Sequence, residues 1–161
     1  LINRQGKVRL MKWYDTFLLT DRSKYVREVK HINQDTVTVI GRSSKLSNFI
    51  EWNQFKIIYK RYASLYFITL CDKEDNELIV LEMIHHYVEC LDRYFGNVCE
   101  LDIIFNFHKA YYIIEEIISA GHFQESGLII NIDKRAIMKS LQTQDSMLEE
   151  EKEDEYNNQK K

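Results

Sequence analysis

Proline is absent from the 161 residues, glycine occurs five times and cysteine three times. The missing proline carries no functional inference. Cys71, Cys90 and Cys99 cannot pair off evenly, which argues against a disulfide framework. Also absent are an arginine-flanked apolar leader ending in small residues and any apolar run near the roughly 20 residues that a membrane-crossing helix needs. Together these absences predict a soluble, reduced, intracellular chain. No Gly-rich phosphate loop, G-x-S-x-G elbow, H-E-x-x-H or Cys-x-x-Cys pair occurs, so an enzyme is not expected and no cofactor is implied.

What is present is enough for one core: 45% of the residues are apolar and 12% of the chain is aromatic, which excludes a disordered tail or a solenoid array. The net charge of −3 conceals a split. Residues 1–62 hold 13 Lys or Arg against 5 Asp or Glu, residues 63–148 hold 6 against 14, and residues 149–161 hold 3 against 6. A basic front half suits an anionic partner, but Lys and Arg also decorate ordinary sheet surfaces, which is the plainer reading. Nucleic acid is disfavoured because neither overall basicity nor a recognition motif is present.

The front half has strand periodicity. Asn3–Lys7 has the polar, Gly-bearing composition of a tight hairpin, and Lys7–Trp13 alternates as a second strand. Thr20–Lys30 reads as a short helix with Thr20 as its N-cap. Asn48–Trp52, Phe55–Tyr62 and Leu65–Cys71 form a meander of hairpins. From Asn76 the period becomes 3.6, with Val80, Met83, Ile84, Tyr87, Val88, Leu91 and Phe95 as one apolar stripe. Gly96 is placed to end this helix in the left-handed region, and Asn97 with Glu100 has capping-box spacing for the next. That next helix, Val98–Ala120, is apolar on nearly every side, more than one sheet face absorbs, so another chain should cover part of it. Gly121 would end it, residues 128–142 give a weaker terminal helix, and the Glu-rich stretch from Glu149 reads as a frayed tail. Strands followed by helices give an α+β class, with one domain over 1–142 and an acidic tail over 143–161.

Candidate chemistry is sparse. His86 and Cys90 lie four apart on one helical face with Glu82 a turn earlier, but no fourth ligand has matching spacing, so no metal site is assigned. Glu115 and Glu116 point about 100° apart and read as a solvated face. Cys71 and Cys99, among apolar neighbours, read as small buried hydrophobes.

Four stretches carry a family resemblance: RQGKVRLMKWY (4–14), FIEWNQFKIIYKRYASLYF (49–67), DNELIVLEMIHHYVECLDRYFGNVCELDIIFNFHKAYYIIEE (75–116) and the acidic tail. They resemble the small, sigma, subunit of clathrin adaptor complexes, and Trp52 with YKRYASLYF looks most like the sigma chain of the type-one complex of the trans-Golgi network and endosomes. The resemblance implies a longin-like fold, a five-stranded antiparallel sheet flanked by helices. It implies a heterotetramer in which a large gamma-type adaptin chain contacts the sigma chain directly, beside beta-type and mu-type chains, with clathrin and membrane engaged indirectly. It also implies binding of cargo tails carrying an acidic dileucine signal, an acidic residue four positions before a Leu that is followed by Leu or Ile. The positions that line the leucine pockets in the family correspond to Ala63, Leu65, Val88, Asn97, Val98 and Ile103, and the one that meets the acidic residue to Arg9. Read without the resemblance, Leu65, Val88 and Ile103 are plain core, Asn97 a helix cap and Arg9 an exposed strand residue.

Two leucine side chains leaving water gain roughly 1.5–3 kcal/mol each when fully buried, against about 1 kcal/mol or less for a partly exposed Arg-to-carboxylate contact. The leucines should set affinity and the acid the register. The sequence departs from the family pattern at His31–Thr36 (HINQDT), inserted where the first helix continues, and at Leu128–Asp133 (LIINID) before the last helix. Both spare the cargo positions. Opening at Leu1, in what reads as the end of an apolar strand, predicts further residues before it and a poorly stable isolated chain.

Overall fold

Alternation in the front half and 3.6-periodicity behind it produce two kinds of layer. The computed structural model describes residues 1–40, 48–119, 122–123, 138–143 and 145–147. In chain order these hold β1 (Ile2–Asn3), α1 (Leu19–Ile40), β2 (Phe49–Trp52), β3 (Phe55–Tyr62), β4 (Leu65–Asp72), α2 (Glu77–Phe95), α3 (Glu100–Phe105), α4 (Phe107–Ile117) and the short strands β5 (Ile118–Ser119) and β6 (His122–Phe123). Strands β1 to β4 form one antiparallel sheet in the order β1-β4-β3-β2. The expected meander is present, and its register pairs Trp52 with Phe55 and Tyr62 with Leu65 across two-residue turns.

Strand β3 is buried on both faces from Phe55 to Tyr59, because helices cover the sheet on both sides. On one face Phe55 meets Phe17 and Tyr25 edge to face, and Tyr25 of α1 also meets Trp52. On the other, Ile58, Leu65 and Phe67 join Ile84, Tyr87, Cys90 and Leu91 of α2 with Ile103, Ala110, Ile113 and Ile117 of α3 and α4 in one buried cluster. Leu141, in helical turns over 138–143, closes that cluster.

Of the five expected strands, the segment Lys7–Trp13 is reduced to a single bridge between Ile2 and Val8. The hairpin itself forms: Asn3 Oδ1 accepts the amides of Gln5 and Lys7, and Gly6 takes φ 75°. Beyond Leu10 the chain leaves the sheet, because the Met11 amide and carbonyl both bond the Tyr111 hydroxyl of α4. Helix α1 begins at Leu19, one residue before the expected cap Thr20, and runs through the HINQDT insertion to Ile40.

Two further expectations are corrected. The single helix expected over Val98–Ala120 is broken at Asn106, whose φ of −120° and ψ of 40° separate α3 from α4. Asparagine competes with the helical backbone for hydrogen bonds, which makes it a natural break point. Neither Asn97 nor Glu100 makes the expected capping box: the N-cap is Cys99, and Asp102 three residues later accepts the Cys99 amide at 2.8 Å. Cys99 is accordingly exposed rather than buried. Gly96 does terminate α2 at φ 67°, its amide bonding the Asp92 carbonyl at 2.8 Å. Gly121, the LIINID insertion, most of the expected terminal helix and the tail from residue 148 lie outside the described residues. Within them, Asp145 accepts the Tyr94 hydroxyl at 2.8 Å and pairs with Lys109, tying the last helical turns to α2 and α4.

Candidate functional site

A strand turn, helix α2 and the α2–α3 junction carry the candidate residues. Ala63 and Ser64 form the β3–β4 turn, with Ala63 exposed and at φ 50°, a conformation an L-residue adopts only when its neighbours hold it. Here the Ala63 carbonyl accepts Arg61 Nε at 3.1 Å and Arg4 Nη2 at 3.4 Å. Leu65 follows at the start of β4 and is buried, and Ile103, in α3, is 0% exposed. Val88 and Val98 are half-buried and pack against the cluster that contains Leu65 and Ile103. Asn97 is exposed at φ 64°, so two successive left-handed residues, Gly96 and Asn97, turn the chain from α2 toward α3. Of the six apolar-pocket candidates, Ala63, Val88, Asn97 and Val98 retain accessible surface and Leu65 and Ile103 do not.

Arg9 is half-buried. It lines a shallow cleft of about 320 Å³ with Asn3, Arg4, Gln5, Ser64 and Glu100. Ser64 sits between Ala63 and Leu65 in the chain, and Glu100 two residues after Val98. The cleft is therefore next in the chain to Ala63 and Leu65 through Ser64, and two residues from Val98 through Glu100. Arg9 Nε and Nη2 reach the same oxygen, Oε1 of Glu100, at 2.7 and 2.6 Å, and Asn3 Nδ2 donates to it at 2.9 Å. The Asn3 amide first, and then the Arg9 guanidinium, hold the Glu100 carboxyl below the usual glutamate range.

The resemblance names Arg9, and neither it nor the residue pattern singles out Glu100 for this cleft. The spacing of Glu100 from Asn97 suggested a local capping role, and the 91-residue separation from Arg9 hid the contact. With Cys99 and Asp102 serving the helix start, Glu100 is released to the cleft.

The other chemically suggestive residues are occupied structurally. His86 and Cys90 are buried on α2 with Nε2 and Sγ 3.7 Å apart, and no group of three or more His, Cys, Asp or Glu among the described residues is arranged to hold a metal. Burial, and next the Asp75 carboxylate, push the half-buried Cys71 thiol up to about 11, away from nucleophilic use. Glu115 and Glu116 are exposed, with Glu115 paired to Lys12. Among the described residues no helix is long and apolar enough to cross a membrane.

Comparison with known proteins agrees across nearly the whole chain. The family model for the clathrin adaptor complex small chain matches residues 1–148. The AP-1 complex subunit sigma-2 of Dictyostelium discoideum is 55% identical over 149 residues, covering 92% of this chain and 89% of its own length. The human AP-1 complex subunit sigma-1A is 46% identical over 151 residues, covering 94% and 88%. Among solved structures, a chain of a homology model of the full-length AP-3 complex in a stretched open conformation superposes with a TM-score of 0.65 at 26% identity, covering 94% of each chain. The sheet flanked by helices, the hairpin meander and the match from residue 1 to 148 thus agree, and the chain belongs to the clathrin adaptor complex small chain family.

Proposed function

We propose that this chain is the sigma subunit of a type-one clathrin adaptor heterotetramer, and that it contributes to binding acidic dileucine signals and to holding the complex core together. Its direct partner is a large gamma-type adaptin chain, with beta-type and mu-type chains completing the assembly. Clathrin and membrane contact are indirect, on the cytosolic face of the trans-Golgi network, endosomes and coated vesicles. The assembly role is supported by Leu101, Phe105 and Phe107, which stay 58%, 74% and 55% exposed on α3 and α4, an apolar excess suited to a partner chain.

The cargo role is supported by one observation: the Arg9 cleft includes Ser64, between Ala63 and Leu65, and Glu100, shortly after Asn97 and Val98, while Leu65, Val88, Val98 and Ile103 share one apolar cluster. A ligand with an acidic group a few residues ahead of two aliphatic side chains matches that polar-to-apolar order. The test is a cycle on the assembled complex, with Arg9→Glu measured against a dileucine peptide carrying Glu four residues before the first Leu and against its Ala counterpart. Arg9→Glu weakens the acidic peptide more than the Ala peptide. Equal loss for both refutes the assignment of Arg9.

A second reading, a coat subunit that is structural only, is favoured by the burial of Leu65 and Ile103 in the chain's own core. Under it, neither peptide binds the assembled complex in a way that depends on Arg9 or Val88.

A further inference from the structure

The cleft that contains Arg9 already holds a carboxylate, and it belongs to this chain. Glu100 Oε1 lies within reach of both Nε and Nη2 of Arg9 and accepts an Asn3 amide hydrogen, so an incoming acid would share the guanidinium with a resident carboxylate. The contact spans elements 91 residues apart and is not required to start α3, a task performed by Cys99 and Asp102. Among the cleft residues, Arg4 and Arg9 supply two positive charges and Glu100 one negative. Arg4 is exposed and donates at 3.4 Å to the Ala63 carbonyl, a weak contact that leaves it near the cleft mouth.

We propose that Glu100 is a specificity-determining residue: an internal carboxylate that occupies Arg9 in the unliganded chain and must be displaced, or its charge offset by Arg4, before an acidic peptide side chain is accepted. This rests on the cargo reading above and adds to it the reason the acid contributes little to affinity. An intramolecular carboxylate is present at high effective concentration and costs no association entropy, so a ligand acid gains only the difference between two similar ion pairs. Both groups keep nearly a quarter of their side-chain surface exposed, so exchange needs no rearrangement of the core. Glutamate is ionised at neutral pH at its ordinary value, and Asn3 and Arg9 lower its titration further, so the competition operates there.

The proposal predicts a gain of binding on removing a charge. In the assembled complex, Glu100→Gln keeps the side-chain oxygen that accepts from Asn3 but removes the competing charge. It raises affinity for a peptide with Glu four residues before Leu-Leu by about twofold to fivefold, the scale of one exposed ion pair, and leaves the Ala peptide within about twofold. Glu100→Asp, one methylene shorter, gives a smaller rise in the same direction. Equal change for both peptides, or weaker binding of the acidic one, overturns the proposal. Arg9→Gln in the same series separates the two layers of argument. If Arg9→Gln abolishes the acid preference while Glu100→Gln changes nothing, only the role of Glu100 fails. If Arg9→Gln leaves the preference intact, the Arg9 assignment falls and the competition with it.

Discussion

Replacing Val88 by aspartate separates a cargo surface from a packing residue. On α2, Ile84, Tyr87 and Leu91 face the core, and Val88, at the shoulder of that stripe, is half-buried against the same cluster. A carboxylate there can turn to water in the unliganded complex, so folding and assembly survive. When a peptide leucine covers the site, the carboxylate must either lose water without a partner or hold the leucine off. Losing the burial of one leucine removes roughly 1.5–3 kcal/mol, which is about 10- to 150-fold in affinity. Fluorescence anisotropy of a labelled acidic dileucine peptide on the assembled complex reads this directly, with a peptide whose two leucines are alanine as the blank. Ile113→Ala is the control for core damage. Ile113 is 0% exposed, and such a truncation costs about 2–5 kcal/mol of stability, seen as lower thermal midpoint and yield of the complex. Unchanged peptide affinity for Val88→Asp in an intact complex refutes the pocket.

Other perturbations test the local architecture. Gly96→Ala adds a Cβ that meets nothing within 4 Å, so its cost is torsional alone, about 1 kcal/mol at φ 67°. Amide exchange in the last turn of α2, measured in the complex, should quicken about fivefold, and Gly96→Asn should do less harm; a Gly96→Ala chain with unchanged exchange contradicts the left-handed cap. For pH, Glu77 is held below its ordinary 4.5 by the Lys56 ammonium at 2.7 Å, Glu100 below the same value by Asn3 and Arg9, and Asp102 below 3.8 by the Cys99 amide. Each depressed carboxyl contributes stability that is complete above its ordinary value and is lost as pH falls through the folded one. Thermal midpoints of the complex should therefore drop below about pH 4.5. The gap between wild type and Asp102→Ala should be widest near neutrality and narrow in acid; a gap that widens in acid refutes the Asp102 cap.

What the sequence disclosed and what it hid follow from the range of the forces involved. The hairpins Phe49–Trp52, Phe55–Tyr62 and Leu65–Asp72 were legible because alternation and short turns are local, as was the stop of α2 at Gly96, where glycine tolerates φ 67°. The break at Asn106 was not, because the stretch from Leu101 to Ile117 carries apolar residues on nearly every side of a helix and periodicity loses its contrast there. The second strand failed for a different reason: alternation over Lys7–Trp13 is real, yet Tyr111, a hundred residues away from Met11, takes that backbone's hydrogen bonds. The site repeats this contrast. Arg9 and the six pocket positions came from the resemblance to sigma chains, since nothing in periodicity alone distinguishes Val88 from core. Glu100 was visible as a residue but assigned to the wrong partner, because capping spacing is a local signal and the Arg9 contact is not. A local motif that fails leaves its charged member free, and in this fold that freed carboxylate lies against the guanidinium proposed for cargo. The double comparison of Glu100→Gln and Arg9→Gln is therefore more informative than either variant alone, because it asks whether the one long-range ion pair in the cleft restrains binding or only decorates the surface.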